Sequence, residues 1–203
     1  RHLCVLSALM GCQGADAFEA EVCDALAEGV EPAVIRETVY QATAYLGIGR
    51  VLSFLKTLDR VLKAQGVSLP LALQGTTDAA DRFERGLEKQ VQLFGEGMRK
   101  QQTQAPHPRR NINRWLAANC FGDYYTRKGL DDAQRELVTF CLILAQGGCE
   151  NQLRGHTAGN IGAGNDADKL YAAVEQCMPY IGYPRSLNAM NIIDEVAGRL
   201  AQQ

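Results

Sequence analysis

The sequence predicts an all-α fold made of two tandem, related helical units, on three observations. The chain aligns with itself at an offset of 135 positions, its apolar residues recur at helical spacing between glycine and proline punctuation, and no stretch alternates as a strand would. At 203 residues and 46% hydrophobic, it is long enough to bury a sizeable core.

The self-alignment places residues 1–62 on 136–197 without a gap. Leu9 meets Leu144, Gly29 meets Gly164, Val39 meets Val174 and Gln41 meets Gln176. Tyr45-Leu46-Gly47-Ile48-Gly49-Arg50 meets Tyr180-Ile181-Gly182-Tyr183-Pro184-Arg185, and Leu52, Asp59 and Val61 meet Leu187, Asp194 and Val196. The clustered Tyr-x-Gly-x-x-Arg match points to a duplicated unit whose halves are related by an approximate two-fold.

Taken in order, residues 1–65 form the first unit, 66–80 a linker, and 81–203 the second unit, which carries the candidate site. Pro32 belongs in the first turn of a helix, where a missing N–H has no consequence. After the linker, helices are expected over Asp81 to Lys100 and about Asn111 to Arg127, and Gln101 to Pro108 reads as a loop because of Pro106 and Pro108. In the second unit the apolar stretch Leu137 to Ala145 ends at Gly147-Gly148, and a helix from about Cys149 to Asn160 closes at Gly162-Ala163-Gly164. Asn165 or Asp166 then caps a helix through Met178, and Pro184 marks the turn into a last helix, Leu187 to Leu200.

Composition narrows the function. Seven cysteines are scattered singly, with no C-x-x-C pair and no grouping at zinc spacing, which predicts free thiols, no metal and a reducing, cytoplasmic setting. Basic and acidic residues number 21 and 23, with no basic run or aromatic-interleaved stripe, so nucleic acid is not an expected partner. No apolar run approaches the ~20 residues of a membrane-spanning helix. The opening Arg1 to Cys12 has the outline of a short signal peptide, yet it has a counterpart deep in the chain, which favours a core helix.

Arg135-Glu136-Leu137-Val138 and Gly147-Gly148-Cys149-Glu150-Asn151-Gln152-Leu153-Arg154-Gly155-His156 resemble the carboxymuconolactone decarboxylase and alkylhydroperoxidase D-like (AhpD-like) superfamily. Its peroxidase branch has a glutamate on one helix and, opening the next, a C-x-x-C pair followed four residues later by histidine. Glu136, Cys149 and His156 match, with one extra residue between glutamate and cysteine; Gln152 replaces the second cysteine. The decarboxylase branch generally lacks the cysteine pair and keeps the histidine. The segment Asn119 to Arg127 is also similar to members of the superfamily. The resemblance implies an AhpD-like helical bundle, no cofactor, a small-molecule substrate and a homotrimer, since single-unit members form hexamers.

Spacing bears on the site independently. Cys149, Gln152 and His156 fall at i, i+3 and i+7 on one helical stripe, with roughly 10 Å of rise separating the cysteine from the histidine. If the two helices form a hairpin about Gly147, Glu136 and His156 differ in height by roughly 3 Å and can pair. A carboxylate beside an imidazole stabilises the imidazolium, giving a proton donor and acceptor usable near neutral pH. Cys149 opens its helix, where the dipole favours a thiolate and Glu150 opposes it. Gln152 and Tyr124 are candidate pocket residues. Arg127, Arg154 and Arg185 are candidates for an anionic substrate or for surface ion pairs, whereas Cys141 and Cys177 fit a core. In the first unit Arg1, Gly14, Ala17 and Glu21 occupy the equivalent positions, so that copy is expected to be chemically blank.

Three functions fit: acid/base chemistry on a small carboxylated or lactone substrate, a thiol-dependent peroxidase using a single reactive cysteine, and a non-catalytic oligomeric binding protein.

Overall fold

In the computed structural model, which describes residues 1–202, eleven α-helices and one π-helix carry the chain, and no strand occurs among the described residues. The contacts divide it into two compact units, residues 1–72 with 132–203 and residues 73–131.

The first compact unit contains both repeats. Helices α1 (His2–Gly11), α2 (Ala15–Ala27), α3 (Pro32–Leu46) and α4 (Ile48–Ala64) correspond to α8 (Asp132–Gln146), α9 (Glu150–Gly162), α10 (Ala167–Ile181) and α11 (Tyr183–Leu200). The 135-residue offset is kept at both ends of α2 and α9 and of α3 and α10. The punctuation repeats as well. Gly47 (φ 80°) and Gly182 (φ 76°) end α3 and α10 in a conformation that an L side chain resists, and prolines sit in the first turns of α3 and α11. Asp166 caps α10, accepting a hydrogen bond from the Lys169 amide at 2.9 Å.

Packing obeys the same relation: α1 lies against α8, and the contact of α3 on α8 has its counterpart in α10 on α1. Helices α1 and α8 are buried almost all round, so the Arg1 to Cys12 stretch packs as a central helix. Their crossing is close, because a Cβ added at Gly11 would lie 2.7 Å from Ala145 Cβ. Around the crossing the core collects Cys4, Ala8, Phe140, Cys141, Leu144, Val174, Cys177 and Ile193. Cys141 and Cys177 are fully buried. Hydrogen bonding with the Cys177 and Cys4 thiols, together with burial, pushes the Cys141 thiol well above its ordinary range.

One buried polar network crosses between the repeats. Arg135 on α8 reaches Glu37 Oε2 at 3.2 Å and Gln41 Oε1 at 3.0 Å on α3, and Gln41 Nε2 donates to Thr139 Oγ1 at 3.1 Å. All four side chains are buried, so these charge and amide groups pair with one another where water is absent.

The second compact unit holds α5 (Arg82–Phe94), α6 (Gly97–Gln104), α7 (His107–Trp115) and the π-helix Leu116–Tyr125. Two expectations are corrected here. The helix foreseen over Asp81 to Lys100 breaks at Gly95 (φ 85°). The loop foreseen over Gln101 to Pro108 shrinks to Ala105-Pro106, because Pro108 lies in the first turn of α7, where a proline is tolerated. Helix α5 packs on the π-helix at two glycines: a Cβ at Gly86 would meet Ala117 O at 2.0 Å, and one at Gly122 would meet Arg82 O at 2.0 Å.

Candidate functional site

The hairpin of α8 and α9 turns at Gly147 and Gly148, both with φ 71°, and brings its two arms together so that residues of similar height face each other. His156 Nδ1 lies 2.9 Å from Glu136 Oε2. The Glu136 side chain is fully buried and that of His156 is 12% exposed, so the pair presents its imidazole rather than its carboxylate outward. A wholly buried carboxylate needs a compensating donor, and the histidine ring supplies one.

Two further groups fix the pair. Tyr45, from α3 of the first repeat, packs edge-on against the His156 ring with centroids 5.3 Å apart. Asn160 Nδ2 lies 2.9 Å from the Glu136 carbonyl and 2.7 Å from the His156 carbonyl, and Asn165 Nδ2 reaches Asn160 Oδ1 at 2.8 Å. Sequence reasoning had not placed these three at the site. A signal for the asparagines was present: at the 135-residue offset they face Ala25 and Val30 in the first repeat.

Cys149 occupies the N-cap of α9 and is half-buried. Its sulfur accepts a hydrogen bond from Gln146 Nε2 at 3.2 Å, and Gln146 Oε1 accepts from Arg50 Nη1 at 2.9 Å. A small cleft lined by Gly147, Cys149, Leu153, Arg185 and Asn188 adjoins it. Arg185 also donates to the Ala145 carbonyl at the end of α8. Cys149 and His156 are seven positions apart along one helix, about 10 Å of rise, so thiol and imidazole occupy different levels of α9. Gln152 is exposed on the same helix. Tyr124 and Arg127, both half-buried, belong to the compact unit 73–131. Arg154 forms an exposed ion pair with Glu195 at 2.8 Å.

The first repeat holds a histidine–carboxylate pair of its own. Glu21, at the position of His156, is paired with His2, whose Nδ1 lies 2.7 Å from Glu21 Oε1. On its other side His2 Nε2 is 2.9 Å from Glu28 Oε2, a charge contact rather than a well-aligned hydrogen bond. The alignment missed this pair because His2 is one residue beyond the position equivalent to Glu136. No cluster of His, Cys, Asp and Glu suited to a metal ion occurs among the described residues, and no helix among them is long and apolar enough to cross a membrane.

Comparison with known proteins agrees with this architecture. The chain is 28% identical over 116 residues to a 4-carboxymuconolactone decarboxylase of Acinetobacter baylyi, an alignment covering 57% of this chain and 86% of that protein. The model of the carboxymuconolactone decarboxylase family matches residues 111–195, from within α7 to within α11, and so takes in Glu136, Cys149 and His156. The all-helical fold is consistent with an AhpD-like helical bundle, and over residues 111–195 the chain is similar to the carboxymuconolactone decarboxylase family.

Proposed function

We propose that the protein is a lyase-type enzyme that performs acid/base chemistry with its own side chains on a small carboxylated or lactone substrate. The observation that carries this is the 2.9 Å approach of His156 Nδ1 to the buried Glu136 carboxylate. Holding Nδ1 leaves Nε2 as the atom that exchanges a proton with substrate, and Glu136 fixes the orientation of the ring. In a decarboxylation of a conjugated lactone acid, the bond to the carboxylate breaks, its electron pair enters the conjugated system as a dienolate, and carbon dioxide leaves. His156 then delivers a proton to carbon. The decarboxylase name of the Acinetobacter baylyi relative supports this class.

The test is an assay with 4-carboxymuconolactone and related lactone acids, following loss of the substrate chromophore and release of carbon dioxide. Turnover that disappears in His156→Ala is expected. Turnover that persists in that variant would overturn the assignment.

A second reading draws on the position of Cys149 at the N-cap of α9, where its sulfur accepts a hydrogen bond from Gln146 beside a cleft lined by Arg185. In that reading the thiolate attacks a peroxide: an S–O bond forms, the O–O bond breaks, the departing alkoxide takes a proton, and an external thiol reduces the sulfenic acid. Peroxide treatment followed by mass spectrometry tests it, with no 149–152 crosslink possible because residue 152 is glutamine. An unmodified Cys149 beside oxidised surface thiols counts against it. The assembly we propose is a homotrimer, and a monomeric mass by light scattering would exclude it.

A further inference from the structure

We propose that Asn160 and Asn165 are positioning residues whose side-chain amides hold Glu136 and His156 in register, an inference that rests on the reading of those two residues as an acid/base pair. Both asparagines are fully buried. One amide nitrogen, Asn160 Nδ2, is hydrogen-bonded to the main-chain carbonyls of both members of the pair, Glu136 on α8 at 2.9 Å and His156 on α9 at 2.7 Å. Asn165 orients that amide, since its Nδ2 lies 2.8 Å from Asn160 Oδ1, and anchors itself on the Ala133 carbonyl of α8 at 2.7 Å. The side-chain chain therefore runs from α8 through the segment ahead of α10 and back to both α8 and α9. A one-residue slide of α9 along α8, about 1.5 Å, is enough to spoil the contact between imidazole and carboxylate.

The first repeat shows that the fold does not require these amides. There Ala25 and Val30 occupy the equivalent positions. Yet the main chain closes the helix identically: the Val30 amide bonds to the Ala25 carbonyl at 2.9 Å, as the Asn165 amide bonds to the Asn160 carbonyl at 2.9 Å. An apolar pair is thus sufficient for the turn. Burying two amides instead is unfavourable unless every polar atom is satisfied, and Asn165 Oδ1 has no hydrogen-bond partner among the described residues. The amides replace an adequate apolar solution in the repeat that carries His156, where a fixed separation between two side chains has chemical value.

The experiment is nitrogen NMR of the histidine rings in the full chain labelled with nitrogen-15 histidine, at a pH where His156 is neutral, its signals assigned by their disappearance in His156→Gln. Pairing with Glu136 is read as a ring protonated on Nδ1. The double variant Asn160→Ala/Asn165→Val, which installs the first repeat's residues, is expected to shift the His156 ring toward the Nε2-protonated tautomer while His2 signals stay in place. Glu136→Met, which removes the acceptor, is expected to give the same shift. An unchanged His156 tautomer in the double variant, with Glu136→Met shifting it, overturns the positioning role and leaves the pair intact. An unchanged tautomer in Glu136→Met overturns the pair, and with it the role of the asparagines. Should the double variant fail to fold, Asn165→Val alone, which releases Asn160 Oδ1, is expected to shift the tautomer partway; no shift there also overturns the proposal.

Discussion

His2 and Glu21 form in the first repeat what His156 and Glu136 form in the second, with the residue types exchanged between the two helices of the hairpin. The surroundings differ in one respect that decides their use. His2 stands between two carboxylates, Glu21 at 2.7 Å and Glu28 at 2.9 Å, so both ring nitrogens face protein acceptors. Such an imidazole serves as a charged cross-link between α1, α2 and the chain beyond α2 rather than as a proton carrier for substrate.

This arrangement predicts a pH-dependent contribution to stability. Burial is the largest single influence on the His2 pKa and lowers it, but the close carboxylates of Glu28 and Glu21 together outweigh it, and the net shift is upward from 6.5. A group whose folded pKa is raised stabilises the fold fully below its unfolded value and loses that contribution as pH rises through the folded value. The difference in melting temperature between the unmodified protein and His2→Gln is therefore expected to be largest below about pH 6.5 and to shrink above it. A difference that is flat with pH would rule out the charged cross-link.

The buried network of Arg135, Glu37 and Gln41 makes a different prediction. Both ends of the ion pair are out of water, with side-chain exposures of 0% and 1%. Removing one partner leaves an uncompensated buried charge, so Glu37→Ala is expected to lower the unfolding free energy by about 3–5 kcal/mol. Replacing both ends, in Arg135→Met/Glu37→Leu, is expected to recover most of that loss in a urea denaturation series.

Gly86 and Gly122 set the approach of α5 to the π-helix. At each, the clash of an added Cβ is with main-chain atoms, which cannot rotate away. Gly86→Ala is accordingly expected to destabilise by at least about 1–3 kcal/mol, the usual range for an overpacked site. A thermal midpoint unchanged in Gly86→Ala would show that the two elements separate more easily than this geometry allows.

Much of this was legible in the sequence where punctuation and period act locally. Gly147-Gly148 and Gly162-Ala163-Gly164 announced helix ends, and the placing of Glu136 eleven residues before Gly147 and His156 nine after it sufficed to pair them across a hairpin. The sequence was less informative where the outcome depended on tertiary packing. Tyr45 reaches His156 only because α3 of one repeat lies on α8 of the other, a contact no local spacing encodes. Pro106 and Pro108 were read as breaking a helix when Pro108 in fact begins one, since proline is acceptable at a first turn and the sequence does not say which side of it the helix lies. The His2 and Glu21 pair escaped the alignment because a one-residue displacement along α1 is invisible to a gapless comparison.

The strongest functional prediction concerns the coupling of Glu136 to His156. The carboxylate is fully buried and 2.9 Å from Nδ1, so it acts on substrate only through the imidazole it holds. Two residues working as one unit lose their function together, and the second loss adds little to the first. On a substrate identified by the lactone assay, His156→Ala is expected to lower kcat/KM by about 100-fold or more, the range of general acid/base catalysis, and Glu136→Gln by a smaller factor. The double variant is expected to be no worse than His156→Ala, a coupling that a double-mutant cycle measures directly. Glu21→Gln, which touches the equivalent pair in the first repeat, is expected to leave kcat/KM unchanged while lowering stability. Losses in the two single variants that simply multiply in the double would mean that Glu136 and His156 act separately, and the 2.9 Å contact would then be part of the core and not of the chemistry.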